Sequence, residues 1–280
     1  MLKSVQEVEV LPSSAVEIVR IAQDPEADAG QVERAIALDP VLTARVLKMA
    51  NSSLLGGRAE TRTVRDAVVR LGSGRVIAAA LDSGPLAAAP VEGYELRPGA
   101  LWEAAAATAL TAEELARACG TRAPREVFTA ALLCDLGKLV LGPFVCRHRD
   151  AIMALAFEGD HAFDAAEREV LGIDHAEVGA LLLERWQLPA EIVQIVRWHH
   201  LPSSCDESMR GPTDLVHAAE HLCAMAGLGS GVDGTQYRAD PATVTRLGLK
   251  PSVVEAVLCE TASKLVEVRT LRSGEAVELR

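Results

Sequence analysis

One stretch near the middle of the chain carries most of the information about its fold: Ala130-Ala131-Leu132-Leu133-Cys134-Asp135-Leu136-Gly137-Lys138. The apolar run is typical of the buried end of a helix, and Gly137 marks a break after it. A thiol, a carboxylate and an ammonium group follow close together at Cys134, Asp135 and Lys138. The stretch therefore predicts a core helix that carries ionisable side chains at its end.

Helical periodicity extends over the rest of the chain, outward in both directions from this stretch. Asp28, Asp39-Pro40 and Thr63 are typical N-terminal signals of helices. Prolines and glycines crowd residues 85–99 and indicate an internal boundary. We expect an all-α, multi-helix bundle with an N-terminal helical part over 1–95 and a C-terminal helical bundle over 96–280. Residues 276–279 are the one candidate strand.

Two further segments in the C-terminal half are predicted to interrupt the helices. Pro202 to Pro212 is expected to be a polar loop before a helix over 213–226. A glycine-rich break follows that helix, with glycines at 227, 229, 231 and 234.

The composition limits the classes of function. Of 280 residues 49% are hydrophobic, which is ample for a core, and the net charge is −11. An acidic chain lacks the overall positive charge of most nucleic-acid-binding proteins, so no nucleic-acid partner is expected. No apolar run reaches the length of a membrane span, and Glu7 lies where a signal peptide would be apolar. We expect a cytoplasmic protein without a membrane contact.

The six cysteines lack the spacing of zinc fingers or CxxC pairs. A chain with a sufficient core and no export signal does not need a disulfide framework. We therefore expect mostly buried, reduced thiols.

Four segments carry side chains that could bind a metal ion. They are the helix of Trp102-Glu103, the Cys134-Asp135 pair, the Asp174-His175-Ala176-Glu177 run and the His199-His200 pair, with His217 and Glu220 further along. Imidazoles and carboxylates hold hydrolytic metal ions where a fold brings them together. Each also has a simpler role: Asp135 could cap the next helix, His175 could cover a helix start, and the His199-His200 pair could cap a helix end as imidazolium. Spacing alone leaves both alternatives open.

At these residues the chain resembles the HDOD domain, a bacterial regulatory relative of the HD-type metal-dependent phosphohydrolases. The resemblance spans about residues 11–268 and rests on several motifs in the family's order. These are Asp39-Pro40 with a leucine-rich helix and Asn51-Ser52, the helix from Thr63 to Gly72, the Trp102 helix, the stretch ending Asp135-Leu136-Gly137-Lys138, the run His175 to Gly179, Trp186 to Pro189, and His199 to Pro202. The resemblance implies an all-α fold and a role in signal transduction.

The same resemblance implies that the ligand set of catalytic HD proteins is incomplete here. Ala104 and Cys134 stand where those proteins carry histidines. A methyl group cannot ligate, and a thiolate favours zinc over the ions suited to phosphate chemistry. We therefore expect no catalytic residue and no cofactor, with a single divalent metal ion as the weaker alternative. The remains of the metal site are Cys134, Asp135, His175, His199 and Glu220.

Three functions follow from these observations. The first is a non-catalytic bacterial signal-transduction module that acts through other signalling proteins, self-association or a small ligand. The second is a metal-dependent phosphohydrolase acting on nucleotides or cyclic dinucleotides. The third is a nucleotide receptor that uses Arg147, His148 and Arg149. The candidates for lining a ligand pocket, or for being satisfied core groups, are Asp135, Lys138, His175, His199 and His200.

Overall fold

The computed structural model describes residues 13–24, 28–37, 40–50, 61, 63–82, 90–120, 124–159, 161–228 and 231–273. Within these ranges the chain is all-α, as predicted, and the one β interaction is an isolated bridge between Val91 and Leu96. The α-helices are α1 (Ser13–Gln23), α2 (Ala29–Ala37), α3 (Pro40–Ala50), α4 (Val64–Leu71), α5 (Ser73–Leu81), α6 (Ala100–Ala118), α7 (Arg125–Leu133), α8 (Gly137–Arg147), α9 (Arg149–Met153), α10 (Phe163–Leu171), α11 (His175–Arg185), α12 (Ala190–Trp198), α13 (Glu207–Met225), α14 (Pro241–Leu247) and α15 (Pro251–Ser273). Short 3₁₀ turns lie at Glu92–Tyr94 and Pro202–Ser204, and a π turn at Ala154–Glu158.

Side-chain caps set the starts of the N-terminal helices. Asp28 Oδ1 accepts the N–H of Gln31 at 2.8 Å, and the Gln31 side chain accepts the N–H of Asp28 at 2.9 Å. These reciprocal bonds satisfy two backbone donors at the start of α2. Thr63 Oγ1 accepts the N–H of Asp66 at 3.1 Å before α4. Both predicted caps are confirmed.

The C-terminal bundle is built around α6 and α7. Helices α7, α13 and α15 pack against α6, while α12 and α13 also pack against α7, and α11 lies between α8 and α12. The side chains of α6 that face these neighbours are buried, among them Leu101, Ala105 and Leu115. Small alanines let the helix axes approach closely, so α6 and α7 form the common floor of the bundle.

The N-terminal helices join this bundle through α1 and α5, which both contact α7. Several predicted features of this region lie outside the described residues: the Asp39 cap, the Asn51-Ser52 helix end and most of the first half of the 85–99 connector. The predicted strand at 276–279 also lies outside them. The division at residue 95 stays a prediction.

The polar loop predicted over Pro202 to Pro212 is wrong in its second half, because α13 already begins at Glu207. Pro212 lies inside this helix, where it removes one backbone donor. The Thr213 side chain donates to the Met209 carbonyl at 2.8 Å in the same turn. A proline near the start of a long helix is therefore tolerated here.

All six cysteines are free. Cys134, Cys205 and Cys223 are buried, whereas Cys146 and Cys259 are exposed. Free thiols agree with the expectation that the cysteines are reduced. The expectation that most of them are buried holds for only three of the six, Cys134, Cys205 and Cys223.

One apolar stretch, Glu126–Arg147, is long enough to cross a membrane and has a mean hydropathy of 1.6. It comprises α7 and α8 with the turn at residues 134–136 between them. Within its most apolar window 78% of the residues are buried inside the bundle. Such burial is typical of the core helices of soluble proteins.

Candidate functional site

The polar residues singled out by the sequence converge inside the C-terminal bundle. They come from the turn between α7 and α8, the first turn of α8, the start of α11, the end of α12 and the second half of α13. A glutamate from α10 and an aspartate from the loop after α13 join them. None is more than 8% exposed. We call this group the central cluster: Asp135, Lys138, Glu167, His175, His199, His200, Glu220 and Asp233.

Local sequence positions the two helix starts that meet at this cluster. Asp174 begins α11, because its Oδ1 accepts the N–H of Glu177 at 2.7 Å. Gly137 begins α8 directly against α11, where a Cβ atom would clash with the carbonyl oxygen of His175. Any side chain at Gly137 would force these helices apart and move His175 away from Asp135, whose Oδ1 lies 3.5 Å from His175 Nε2.

Lys138 provides the positive charge at the centre. Its Nζ lies 2.9 Å from Asp135 Oδ1 and 2.7 Å from Asp233 Oδ2. The rings of Tyr94 and Tyr237 lie 5.5 and 5.1 Å from the same nitrogen. Burial alone would lower the pKa of Lys138, but the charges of Asp135 and Asp233 outweigh it and hold that pKa well above its ordinary value. The ammonium is therefore charged and ion-paired on two sides.

The expected helix cap at Asp135 is wrong, since its side chain makes no capping bond at the start of α8. It pairs with Lys138 instead. Burial would raise the pKa of Asp135, but the charge of Lys138, followed by that of His175, lowers it below the ordinary value. Asp135 is a buried counter-ion rather than a cap.

His175 is held on both ring nitrogens. Its Nδ1 lies 2.7 Å from Glu167 Oε2, which also accepts the His175 backbone N–H at 2.9 Å. Its Nε2 lies 2.8 Å from His200 Nε2, and the Tyr94 hydroxyl donates to Glu167 Oε1 at 2.5 Å. Burial lowers the pKa of His175, but the charge and hydrogen bond of Glu167 outweigh burial and raise it to about 9. At neutral pH His175 is an imidazolium that donates from both nitrogens.

His199, His200 and Glu220 are arranged differently, because each leaves one buried atom without a hydrogen bond to any described residue. These atoms are His199 Nε2, His200 Nδ1 and Glu220 Oε2, and both nitrogens lie 3.7 Å from that oxygen. Burial, with the charge of His175, lowers the pKa of His199 to about 3. Burial, with the charge of Asp135, raises the pKa of Glu220 to about 8. Burial lowers the pKa of His200 well below its ordinary value. All three groups are therefore neutral near pH 7.

The end of α12 departs from one sequence expectation. His199 does bond to the last turn of the helix, since its Nδ1 lies 2.6 Å from the Val196 carbonyl oxygen. It does so as a neutral ring, so the expected imidazolium at the helix end is wrong for this residue.

Cys134 and Ala104 are the residues for which the resemblance to catalytic HD proteins implies histidines. The Cys134 thiol donates to the Ala131 carbonyl at 3.2 Å, and burial raises its pKa well above the ordinary value. Ala104 lines a cavity of about 30 Å³, which Asp135, Lys138 and Glu220 also line. A cavity of this size has room for one or two water molecules. It has no room for a nucleotide.

Two sets of side chains place potential metal ligands within 4.8 Å of one another: His175, His199 and His200, and Cys134, Asp135 and His199. His175 already uses both nitrogens, and Asp135 is ion-paired with Lys138. A two-metal hydrolytic centre does not fit these residues, because the carboxylate of Asp135 is ion-paired with the Lys138 ammonium and Ala104 offers no ligand atom. Three buried atoms have no hydrogen bond to a described residue: His199 Nε2, which is an acceptor, His200 Nδ1, which is a donor because Nε2 accepts from His175, and Glu220 Oε2. This set suits a water molecule, whereas a metal ion would require His200 Nδ1 to lose its proton.

The basic run after α8 lies apart from this cluster. Arg147 and His148 are exposed, and Arg149 pairs with Glu95 at 2.5 Å. None of the three lines the central cavity. The nucleotide receptor built on these residues therefore has no geometric support at the cluster.

Sequence reasoning missed four residues that contact the predicted ones: Tyr94, Glu167, Asp233 and Tyr237. Tyr237 stacks on His200 with ring centroids 4.2 Å apart. Asp233 lies in the glycine-rich segment that the sequence indicates only as a break. A buried partner for Lys138 had to exist, but nothing in the spacing indicates where.

Comparison with known proteins gives one family match. The model of the HDOD domain family matches residues 8–202. An uncharacterised protein from Treponema pallidum (strain Nichols) is 28% identical over 208 residues, which are 72% of this chain and 40% of that protein. The chain thus spans less than half the length of this relative.

Three solved structures share the fold. An HDOD domain protein of unknown function from Geobacter sulfurreducens has a TM-score of 0.66 and 25% identity, covering 97% of this chain and 91% of that one. A candidate phosphohydrolase from Shewanella amazonensis SB2B has a TM-score of 0.64 and 27% identity, covering 96% and 94%. A candidate signal transduction protein from Marinobacter aquaeolei VT8, at 24% identity and a TM-score of 0.68, covers 97% and 60% and shows the fold alone.

Proposed function

Because the chain belongs to the HDOD domain family, we propose that it is a non-catalytic regulatory module of a bacterial signalling system. It acts in the cytoplasm through contacts with other signalling proteins or with a second copy of itself. The observation that supports this proposal most strongly is the position of the Lys138 ammonium, which is ion-paired with both Asp135 and Asp233 beside a cavity of about 30 Å³.

A hydrolytic HD centre needs an open position for water and substrate beside its metal ions. Here most of the buried charge is compensated by side chains of the protein itself. Asp135, Glu167 and Asp233 face the cations Lys138 and His175, which leaves a net charge of about −1 among these five groups. Buried charges paired in this way hold helices in register rather than bind a phosphate.

An activity screen tests the proposal. Protein purified without chelator would be assayed against nucleoside monophosphates, cyclic dinucleotides and bis-p-nitrophenyl phosphate with Mn²⁺, Fe²⁺ or Zn²⁺. We expect no turnover above that of the Asp135→Asn variant, which keeps the size of the side chain but removes its charge. Turnover that disappears in Asp135→Asn would contradict the proposal.

The interaction role needs its own measurement. Light scattering and chemical crosslinking of the purified chain, followed by co-purification with tagged protein from its own cells, should reveal self-association or a reproducible signalling partner. A strictly monomeric chain that captures no signalling protein under any condition would contradict it.

One observation favours the second candidate, a metal-dependent phosphohydrolase. His199 Nε2, His200 Nδ1 and Glu220 Oε2 are buried without hydrogen bonds to any described residue and face one another. If a divalent ion bound there, it would polarise a water or a phosphoryl oxygen. Glu220→Gln should then abolish both metal binding and turnover, whereas in a regulatory module it changes neither.

A further inference from the structure

A second, much larger cavity lies between the N-terminal helices and the C-terminal bundle. Its volume is about 410 Å³, within the range of small-molecule sites. Helix α5 forms one wall, and α6 with α7 forms the opposite wall. No residue of the central cluster lines it. We infer that this cavity, named here the α5–α6 cavity, binds a small amphipathic carboxylic acid with its apolar body along α6 and its acidic head at Arg75.

The apolar side chains that line the cavity are the reason to expect a ligand with an apolar body. Trp102, Ala106 and Leu110 recur at every fourth position of α6, with Glu113 three residues further, so they form one stripe roughly 16 Å long. Phe128 from α7 contributes a second aromatic ring. Apolar side chains of this kind gain free energy when they exchange water for a hydrocarbon or an aromatic ring.

Helix α5 offers little bulk on its side of the cavity. Gly74 and Ala78 face the space, and a Cβ atom at Gly74 would lie 3.2 Å from the Phe128 ring. The small residues at these positions leave the opening between the two walls. The cavity therefore exists because small residues face it from both walls, Gly74 and Ala78 on α5 and Ala106 on α6.

The two ends of the cavity differ in charge. At one end Arg45 is neutralised by Asp82 at 2.6 Å. At the other end Arg75 lines the cavity and makes no hydrogen bond or salt bridge with another described residue. It lies in the first turn of α5, where Gly72 provides no side-chain cap and the helix dipole is positive. An anionic head is favoured at this second end.

The net charge at the Arg75 end of the cavity favours a single carboxylate over a phosphate. Lys264 also lines the cavity and, with Arg117, hydrogen-bonds to Glu114. Glu113 lies close enough to Arg75, Lys264 and Arg117 to interact with all three electrostatically. Three cations and two acids give a net charge of about +1 at this end. That charge matches one carboxylate better than a doubly charged phosphate, which Glu113 would also repel.

The cavity shares its helices with the central cluster. On α6, Trp102 and Ala106 face the large cavity, whereas Ala104 and Thr108 line the small one. A ligand in the α5–α6 cavity would therefore press on the helix that supports the cluster. It would be an input for the regulatory role proposed above, but binding itself does not depend on that role.

Calorimetry with decanoate as the probe tests the inference on the full chain. We expect saturable binding of one decanoate per chain, no heat with acetate, and no binding of adenosine monophosphate. Arg75→Ala should weaken decanoate binding by about tenfold, since it removes a charged partner of the head. Arg65→Ala, an exposed arginine on α4 outside the cavity, is the matched control and should leave binding unchanged.

Filling the cavity provides a second test. Ala106→Phe should abolish decanoate binding, and Ala118→Phe at the exposed end of α6 should not. If Ala106→Phe does not fold, as judged by its thermal melt, Ala78→Leu on the opposite wall takes its place. The inference is overturned if decanoate does not bind, if adenosine monophosphate binds more tightly, or if Arg75→Ala and the cavity-filling variant both bind decanoate like the wild type. Phosphohydrolase activity, by contrast, would overturn only the proposed function.

Discussion

The two cavities beside α6 differ in almost every respect. The small one, of about 30 Å³, lies within the central cluster, whose eight ionisable side chains are all buried. The α5–α6 cavity holds about 410 Å³ and is lined mostly by small, aliphatic and aromatic side chains. Four residues of the cluster thus line a cavity too small for a substrate. Of the eight, only His200 also lines a larger space, a cavity of about 330 Å³ beside α11 and α12, and none lines the α5–α6 cavity. The ionisable residues of the sequence motifs and the larger of these two cavities thus lie in different parts of the chain.

The largest effect is expected from removing the cation of the central cluster. Lys138→Met leaves Asp135 and Asp233 buried without their common partner, which should lower the free energy of unfolding by about 3–5 kcal/mol. Urea titration measures the change, and the exposed Lys250→Met should stay within about 0.5 kcal/mol of wild type. A loss below 1 kcal/mol would mean that the cluster does not depend on this ion pair.

The next effect is a fall in stability with rising pH. The pKa of His175 is raised from an ordinary 6.5 to about 9. The folded state therefore binds the proton more tightly, so this stabilisation is full below pH 6.5 and lost as pH rises through 9. The loss should be on the order of 3 kcal/mol. The pKa of Glu220, raised to about 8, adds to it in the same direction.

Urea titrations between pH 6 and pH 9.5 would follow this loss. Glu167→Gln removes the main cause of the raised His175 pKa and should flatten the curve. A wild-type curve that is already flat over this range would show that His175 is neutral in the folded protein.

A pair of matched substitutions compares the two cavities directly. Ala104→Leu adds three carbons to the small cavity and should destabilise by about 1–3 kcal/mol through overpacking. Ala106→Leu adds the same three carbons to the large cavity and should change stability by less than about 1 kcal/mol. Thermal melts of both variants decide the point. Equal destabilisation would mean that the two sites are equally packed.

The smallest effect is expected in thiol labelling. Cys146 and Cys259 are exposed and should react with maleimide in the native protein, whereas Cys134 should react only after unfolding. Mass spectrometry of the labelled peptides reads out each site. Rapid native labelling of Cys134 would indicate that the central cluster opens to solvent, which the buried ion pairs argue against.

The sequence predicted the all-α fold and the starts of α2 and α4 because caps and periodicity are local signals. Asp28 and Thr63 cap the helices that follow them, as their spacing indicated. The prediction at Pro212 was wrong because a proline usually indicates a break in a helix. Here the helix starts at Glu207, only five residues before the proline. The start of a helix of this kind can be located only from the structure.

The site was predictable only in part. Motif order identified Asp135, Lys138 and His175, but their partners are set by tertiary packing. Asp233 reaches Lys138 from a loop almost a hundred residues further along the chain, and no local signal records that contact. The α5–α6 cavity could not be predicted from the sequence either, since small residues such as Ala78 and Ala106 are common in helices.

The most direct measurement is the metal content of the chain, purified without chelator and then dialysed against equimolar Mn²⁺, Fe²⁺ and Zn²⁺. If the central cluster is balanced by Lys138 and His175, elemental analysis should find well under one ion per chain, and EDTA should not shift the unfolding midpoint. One or two ions per chain, lost in Asp135→Asn together with a drop in the midpoint, would contradict the structural role assigned to the cluster.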